Sequence, residues 1–135
     1  MVNIAILSSG TGNSSKKLLE NIKNKNINSV VSVIITNKSD ARIIELAKLY
    51  KISYIYLPKK KDVSNTNYDT QLVTILKSYN IDTIFLIGYM RIVTSIIIDN
   101  YKNNIFNIHP SLLPKYKNMM DLDIHQKVIE NNDLY

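Results

Sequence analysis

The chain has 135 residues, of which 45% are hydrophobic, with no cysteine and a formal net charge of +6 at pH 7. These values fit one soluble globular domain and exclude an intrinsically disordered chain. No apolar run approaches the about 20 residues of a membrane-spanning helix, and the start lacks a secretory signal, so we expect a cytoplasmic protein without membrane contact. The absence of cysteine excludes disulfides, thiolate nucleophiles and cysteine-ligated metal sites.

The positive charge comes almost entirely from lysine. Arg42 and Arg91 are the two arginines among 17 basic residues. A nucleic-acid-binding surface clusters its charge and favours arginine at phosphate and base contacts, so the sequence disfavours a nucleic-acid partner. The one basic run, Lys59 to Lys61, fits a solvated loop better than a phosphate site, although general basicity can steer anionic ligands to the protein.

Five short apolar, β-branched segments alternate with segments of helical length. The predicted strands are Val2 to Leu7, Val30 to Ile35, Ile52 to Leu57, Thr83 to Ile87 and Ile105 to Ile108. Continuous apolar runs are typical of strands buried on both faces, and the alternation with helices places them in a parallel sheet. We therefore predict one α/β unit with a Rossmann-like, open, mostly parallel sheet and helices on both faces.

Helix-spaced apolar residues separate these strands and define where the helices begin. The predicted starting or capping residues are, in chain order, Asn13 or Ser14, Asp40, a position near Asn65, and Thr94 or Ser95. A further helix is predicted around Ile124, Val128 and Ile129. We find no internal repeat and no linker that would divide the chain.

A glycine-containing turn, Gly10 to Ser14, follows the first predicted strand and opens the first helix. In an open parallel sheet this arrangement puts backbone N–H groups at a helix N-terminus, at the carboxyl edge of the strands where ligands bind. Phosphate is the ligand that such a site favours. A dinucleotide fingerprint would need a third glycine near Ser15 and an acid after the second strand, and a P-loop would need Gly-Lys-Ser/Thr. Neither occurs, so a phosphate site and a plain helix-capping turn remain as interpretations.

An asparagine and a histidine stand two positions apart at the end of the last predicted strand. Because side chains alternate along a strand, Asn107 and His109 are expected on one side and Ile108 on the other. Pro110 restricts His109 to extended geometry. Such a pair can donate hydrogen bonds to an oxygen that becomes negative in acyl transfer, worth about 3 kcal/mol per donor. The alternative is a histidine that caps the sheet edge.

The loop Gly88 to Val93 follows the fourth predicted strand and lies on the same rim of the sheet. Its apolar residues and Arg91 suit a flat heteroaromatic ligand with an acidic tail. An ordinary loop with a surface arginine is the alternative interpretation.

Taken together, the stretch Asn107 to Pro114, the loop Gly88 to Ile92 and the turn Gly10 to Ser14 resemble the folate-dependent phosphoribosylglycinamide formyltransferase family. The resemblance follows the order and spacing of the motifs along nearly the whole chain. It implies that a formyl group passes from 10-formyltetrahydrofolate to the amine of glycinamide ribonucleotide in purine biosynthesis. It also implies small-molecule partners only, no metal, and a monomer or homodimer.

The resemblance also implies roles for individual residues at the substrate and at the reacting carbon. The residues implied to bind the substrate phosphate are Gly12, Asn13 and Ser14. The residues implied to be catalytic are Asn107 and His109, which would stabilise the tetrahedral intermediate. His109 could also carry the proton that the amine loses.

The pterin pocket of the family falls on the loop after the fourth predicted strand and on the last strand. The residues implied to bind the folate co-substrate are Met90, Arg91, Ile92, Val93 and Asn107. Asn65 stands where the family often has a basic residue that contacts the folate.

Two departures from the family concern the C-terminal part of the chain. Residues 117–123 form a longer and more acidic stretch than the family's usual turn. The family also continues into a strand and an Asp-x-Gly-Pro loop whose aspartate completes the catalytic site. We therefore expect residues 1–135 to be one formyltransferase domain that is incomplete at its C-terminal end and has little turnover.

Two other functions compete with this interpretation. A methionyl-tRNA formyltransferase-like enzyme would have a similar asparagine–histidine element, but that relative typically has glycine where this chain has Pro110, and it needs an RNA-binding domain. A truncated, non-catalytic phosphate- or nucleotide-binding module would keep the fold without the activity, and it would ignore folates.

Overall fold

The computed structural model describes residues 1–10, 12–24 and 29–108, in which five strands and four helices alternate. The strands are β1 (Val2–Leu7), β2 (Ser29–Thr36), β3 (Ser53–Tyr56), β4 (Thr83–Leu86) and β5 (Ile105–Asn107). The helices are α1 (Asn13–Asn24), α2 (Ile43–Leu49), α3 (Asn65–Ser78) and α4 (Ser95–Asn100). Each strand boundary lies within one residue of its prediction. The helix predicted around Ile124 falls outside the described residues.

The five strands form one parallel sheet in the order β3-β2-β1-β4-β5. The chain builds outward from β1 through β2 to β3, and then returns to the other side of β1 with β4. The crevice between the carboxyl ends of β1 and β4 is therefore the topological switch point, where ligands bind in sheets of this kind. The loops that follow these two strands flank that crevice.

Helices cover both faces of the sheet, which confirms the predicted Rossmann-like architecture. One buried cluster joins the sheet to α1 and α2, and its members include Ile4, Ile6, Phe85, Phe106, Leu18, Ile43 and Ala47. The other joins it to α3 and α4, and its members include Ala5, Leu7, Ile84, Leu72, Leu76 and Ile97. Each fully buried Leu, Ile or Phe stabilises the fold by about 1.5–3 kcal/mol. No helix in the described ranges is long and apolar enough to cross a membrane.

Side-chain caps define the start of the two later helices as predicted. The Ser64 hydroxyl accepts a hydrogen bond from the Asn67 N–H (3.0 Å), and the Thr94 hydroxyl accepts one from the Ile96 N–H (3.3 Å). Each bond satisfies one of the free N–H groups in the first turn of a helix.

The predicted caps of the first two helices are wrong. The Gly12 carbonyl accepts the first helical bond of α1, from the Lys16 N–H (2.8 Å), so Gly12 occupies the cap position in place of Asn13 or Ser14. Asp40 lies in a separate turn, closed by a bond from the Ala41 N–H to the Lys38 carbonyl (3.3 Å). Helix α2 therefore begins two residues later than an Asp40 cap requires, after Arg42, whose side chain makes no capping bond.

Candidate functional site

The loops after β1 and β4 meet directly at the carboxyl edge of the sheet. The Ile87 N–H donates to the Leu7 carbonyl (3.0 Å), and the Ser9 N–H donates to the Gly88 carbonyl (3.1 Å). Strand-like pairing thus continues past the ends of the two strands. The predicted phosphate turn and the predicted folate loop are brought together at the switch point.

The turn before α1 depends on glycine at position 12. Gly12 has φ +85°, and a Cβ at this position would lie 3.2 Å from the Ile43 Cα of helix α2. Glycine is therefore required both by the backbone conformation and by the close approach of the two helices. The turn leads into the N-terminus of α1, whose N–H groups and helix dipole attract an anion.

A cavity of about 230 Å³ lies beside this turn, and two basic side chains and one acidic side chain line it. Its lining includes Gly12, Asn13, Lys16, Arg42 and Glu45. Lys16 lies in the second turn of α1 and Arg42 precedes α2, so the two cations come from different helices. The side chain of the third predicted phosphate residue, Ser14, lies outside the described part of the structure.

Two large apolar side chains of the predicted folate loop are open at the rim. Met90 is 77% exposed and Ile92 is 83% exposed, whereas Val93 is 6% exposed and belongs to the core beside α3 and α4. Gly88 has φ +64°, which lets the chain turn out of β4 at this point. The loop therefore presents Met90 and Ile92 outward and is anchored by Val93.

Arg91 is held against helix α3 by two contacts. Its guanidinium carbon lies 4.1 Å from the centre of the Tyr68 ring, and its Nη2 donates to the Asn65 Oδ1 (3.2 Å). Its Nε is buried and has no hydrogen-bond partner among the described residues. Asn65 thus orients the arginine of the predicted folate loop. The guanidinium retains donors that can bind an acidic ligand group.

A buried tyrosine, Tyr68, and a partly buried one, Tyr89, lie around this arginine, and sequence reasoning gave neither of them a role. The Tyr68 hydroxyl donates to the Leu57 carbonyl. Burial raises the pKa of Tyr68 above its ordinary value, and Tyr89 and Arg91 oppose that shift only in part. Burial also raises the pKa of Tyr89 strongly. Both phenols therefore stay uncharged at neutral pH, and they form a low-dielectric wall beside Arg91.

Asp69 fixes the other end of the folate loop. It is 1% exposed, and its Oδ2 accepts a hydrogen bond from the Thr94 N–H (2.8 Å). This charge-assisted bond holds the residue that caps α4, immediately after Val93. The sequence signal was an acid placed between the core positions Tyr68 and Leu72 of an amphipathic helix, which is a costly site for an unpaired charge.

Asn107 is the last residue of β5 and pairs with Leu86 of β4. Its neighbours Phe106 and Ile108 are both buried in the cluster beside α1 and α2. Because strand side chains alternate, Asn107 projects to the opposite side of the sheet, as predicted. Its proposed partner His109 lies outside the described residues, as do Pro110 and residues 111–135, so their roles stay predictions.

The described part of the chain brings together the phosphate turn, the exposed apolar loop and the end of β5. It contains no group of three or more His, Cys, Asp or Glu side chains that could hold a metal ion. The arrangement offers backbone N–H donors for an anion, an apolar edge for a flat ring, and the Asn107 amide at the end of β5, the strand next to β4. Such a set fits group transfer between two small molecules better than it fits a macromolecular surface.

Comparisons with known proteins point to one family. The family model described as formyl transferase matches residues 2–134. The chain is 33% identical over 132 residues to phosphoribosylglycinamide formyltransferase of Escherichia coli (strain K12), covering 98% of this chain and 61% of that protein.

Solved structures agree with this sequence comparison. Glycinamide ribonucleotide transformylase 1 from Symbiobacterium toebii matches with a TM-score of 0.77 and 30% identity, over 81% of this chain and 51% of that one. Phosphoribosylglycinamide formyltransferase from Bacillus halodurans matches with a TM-score of 0.74 and 32% identity, over 79% of this chain and 55% of that one. The chain spans less than two thirds of the length of these relatives.

Proposed function

The chain belongs to the formyl transferase family, and from that membership we propose that it serves formyl transfer from 10-formyltetrahydrofolate to the amine of glycinamide ribonucleotide. The relatives named above carry that activity in their names. The observation that carries the proposal is the hydrogen bond from the Ser9 N–H, just before the proposed phosphate turn, to the Gly88 carbonyl, where the exposed apolar loop begins at the switch point. Residues 1–135 are proposed to belong to one formyltransferase domain.

The substrate phosphate is proposed to bind at Gly12, Asn13 and Ser14. Backbone N–H groups in the first turn of α1 supply the hydrogen bonds. Lys16 and Arg42 flank the same cavity and favour an anion there over a neutral group.

The folate is proposed to bind against the loop after β4. Met90 and Ile92 supply apolar contact for the pterin, and Val93 holds the loop in place. Arg91, already oriented by Tyr68 and by the Asn65 amide, binds the acidic tail of the folate. The proposed chemistry is an acyl transfer served by nitrogen and oxygen groups, with no metal required.

The proposed reaction is an attack of the substrate amine on the formyl carbon. The Asn107 amide and the His109 imidazole donate hydrogen bonds to the oxygen of the tetrahedral intermediate as it becomes negative. The bond from the formyl carbon to N10 of the folate then breaks. The amine loses one proton and N10 gains one, and His109 is the proposed carrier of that proton.

Ligand binding by the native chain tests this proposal. A folate analogue and glycinamide ribonucleotide should each raise the melting temperature in a concentration-dependent way. A mononucleotide such as AMP is the control and should stabilise the protein less. Stabilisation by AMP together with no effect of the folate analogue would instead identify a phosphate- or nucleotide-binding module. Binding to RNA that weakens steeply with salt would identify a nucleic-acid partner.

A further inference from the structure

Ser9 connects three segments of the rim through its hydroxyl and its backbone. Its Oγ accepts a hydrogen bond from the Met90 N–H (3.0 Å) and donates one to the Asn37 Oδ1, which follows β2. Its backbone N–H donates to the Gly88 carbonyl (3.1 Å). The residue therefore ties the segment leading to Gly12 to the loop that begins at Gly88.

The two hydrogen bonds of the Ser9 hydroxyl fix the direction in which its O–H points. A serine hydroxyl has one donor and two acceptor sites. Because the Asn37 amide oxygen takes the donor, the lone pairs of Ser9 remain for the Met90 N–H. Asn37 thus sets the orientation in which the Ser9 hydroxyl accepts the hydrogen bond from the Met90 N–H. The backbone bond to Gly88 does not depend on the hydroxyl and would survive its removal.

We propose that Ser9 is a positioning residue that couples occupancy of the phosphate turn to the affinity of the Met90–Val93 loop for the folate. The inference rests on the proposed function for the identity of the two ligands. A phosphate held at Gly12 limits where Ser9, three positions earlier in the chain, can lie, and the Ser9 hydroxyl then holds the Met90 N–H. Part of the entropy cost of ordering the Met90–Val93 loop is thus met when the phosphate binds, and the loop then binds the folate more tightly.

The test compares native protein, Ser9→Ala and the matched control Ser78→Ala by calorimetric titration. The Ser78 hydroxyl, like that of Ser9, makes a hydrogen bond to the backbone, but it donates to the Ile75 carbonyl (2.6 Å) within the last turn of α3. The titrant is a folate analogue, with and without saturating glycinamide ribonucleotide. In native protein and in Ser78→Ala we expect the ribonucleotide to tighten folate binding by about fivefold or more.

In Ser9→Ala we expect about 3- to 10-fold weaker binding of the folate analogue. We also expect the folate affinities with and without glycinamide ribonucleotide to be nearly equal, so that their ratio is close to 1. The affinity for glycinamide ribonucleotide alone should stay within about twofold of native, since the turn keeps its backbone donors. Amide exchange at Met90, measured without ligand, should accelerate in Ser9→Ala and stay unchanged in Ser78→Ala.

Unchanged folate affinity and unchanged Met90 exchange in Ser9→Ala would overturn the inference. Equal losses for both ligands would also overturn it, because they indicate a general loss of structure. If Ser9→Ala fails to fold, Asn37→Ala is the second variant, because it removes only the acceptor of the Ser9 hydroxyl. In Asn37→Ala the ribonucleotide is also expected to tighten folate binding less than it does in native protein. If the native chain binds neither ligand, the proposed function fails as well, whereas binding of both without coupling removes this inference alone.

Discussion

The guanidinium carbon of Arg91 lies 4.1 Å from the centre of the Tyr68 ring, across the contact between the loop after β4 and helix α3. A cation over an aromatic face in this way contributes about 0.5–2 kcal/mol. The same guanidinium donates to Asn65, so helix α3 determines where the arginine of the candidate folate loop lies. The position of a proposed binding group is thus decided by a helix that precedes it in the chain.

Replacing Arg91 and Arg42 one at a time should show that Arg91 acts on folate binding and Arg42 on phosphate binding. Arg91→Ala is expected to weaken binding of a folate analogue that carries its acidic tail by about tenfold or more, because a charge-assisted contact is lost. The matched control is Arg42→Ala, which should leave the folate affinity unchanged and weaken the phosphate ligand instead. Calorimetric titration measures both. Equal effects of the two variants on the folate would contradict the assignment of Arg91.

Gly12 and Gly10 form a matched pair for the phosphate turn. Gly12→Ala places a Cβ 3.2 Å from the Ile43 Cα at φ +85°, so we expect a loss of about 1–3 kcal/mol in the free energy of unfolding. It should also weaken the phosphate ligand. Gly10→Ala meets nothing within 4 Å and should change stability by less than about 1 kcal/mol. Urea unfolding gives both values, and a Gly10→Ala loss as large as that of Gly12→Ala would contradict the structure.

Asp69 should contribute to stability through a single hydrogen bond. Asp69→Ala leaves the Thr94 N–H without its acceptor in a buried place, and we expect a loss of about 2 kcal/mol in the free energy of unfolding. Asp69→Asn keeps an acceptor and should lose less. Asp99→Ala, on the exposed side of α4, is the control and should be nearly neutral. The comparison is made by urea unfolding, and a neutral Asp69→Ala would show that the bond is unimportant.

Asn107 should act on the chemical step rather than on substrate binding. The native chain is expected to turn over slowly, and Asn107→Ala is expected to lower that kcat for formyl transfer by about a further 100-fold, because one donor to the developing oxyanion is removed. The KM for glycinamide ribonucleotide should change less than about threefold. Asn100→Ala, which loses only a bond to the Ile96 carbonyl of α4, serves as the control. A rise in KM with unchanged kcat would instead assign Asn107 to substrate binding.

The buried phenol of Tyr89 should make stability fall at alkaline pH. Burial raises its pKa in the folded state, so above about pH 10 the unfolded chain releases this proton first. The contribution is fully present below about pH 10 and is lost as the pH rises toward the folded-state pKa. Urea unfolding at pH 8 and at pH 10.5 should show a smaller loss for Tyr89→Phe than for native protein. Identical losses would mean that Tyr89 ionises equally in both states.

The sequence pattern predicted the five strands within one residue because an apolar, β-branched run is a local signal. It predicted the side on which Asn107 projects for the same reason, since alternation is a property of the strand itself. The cap at Asp40 was wrong because a competing turn, Lys38 to Ala41, ends before α2 begins. Periodicity locates a helix but does not exclude such a turn, and Asp is favourable in both settings.

The sequence by itself determined the α/β alternation, the position of the glycine-containing turn before α1 and the family resemblance, because each depends on residues that are neighbours in the chain. Only the tertiary structure decided which of these elements contact one another. Ser9 meets Met90 across 81 residues, and Asp69 meets Thr94 across 25. These contacts exist because β4 lies beside β1 in the order β3-β2-β1-β4-β5, with α3 packed on one face. Local periodicity leaves strand order open, since every permutation buries the same apolar runs.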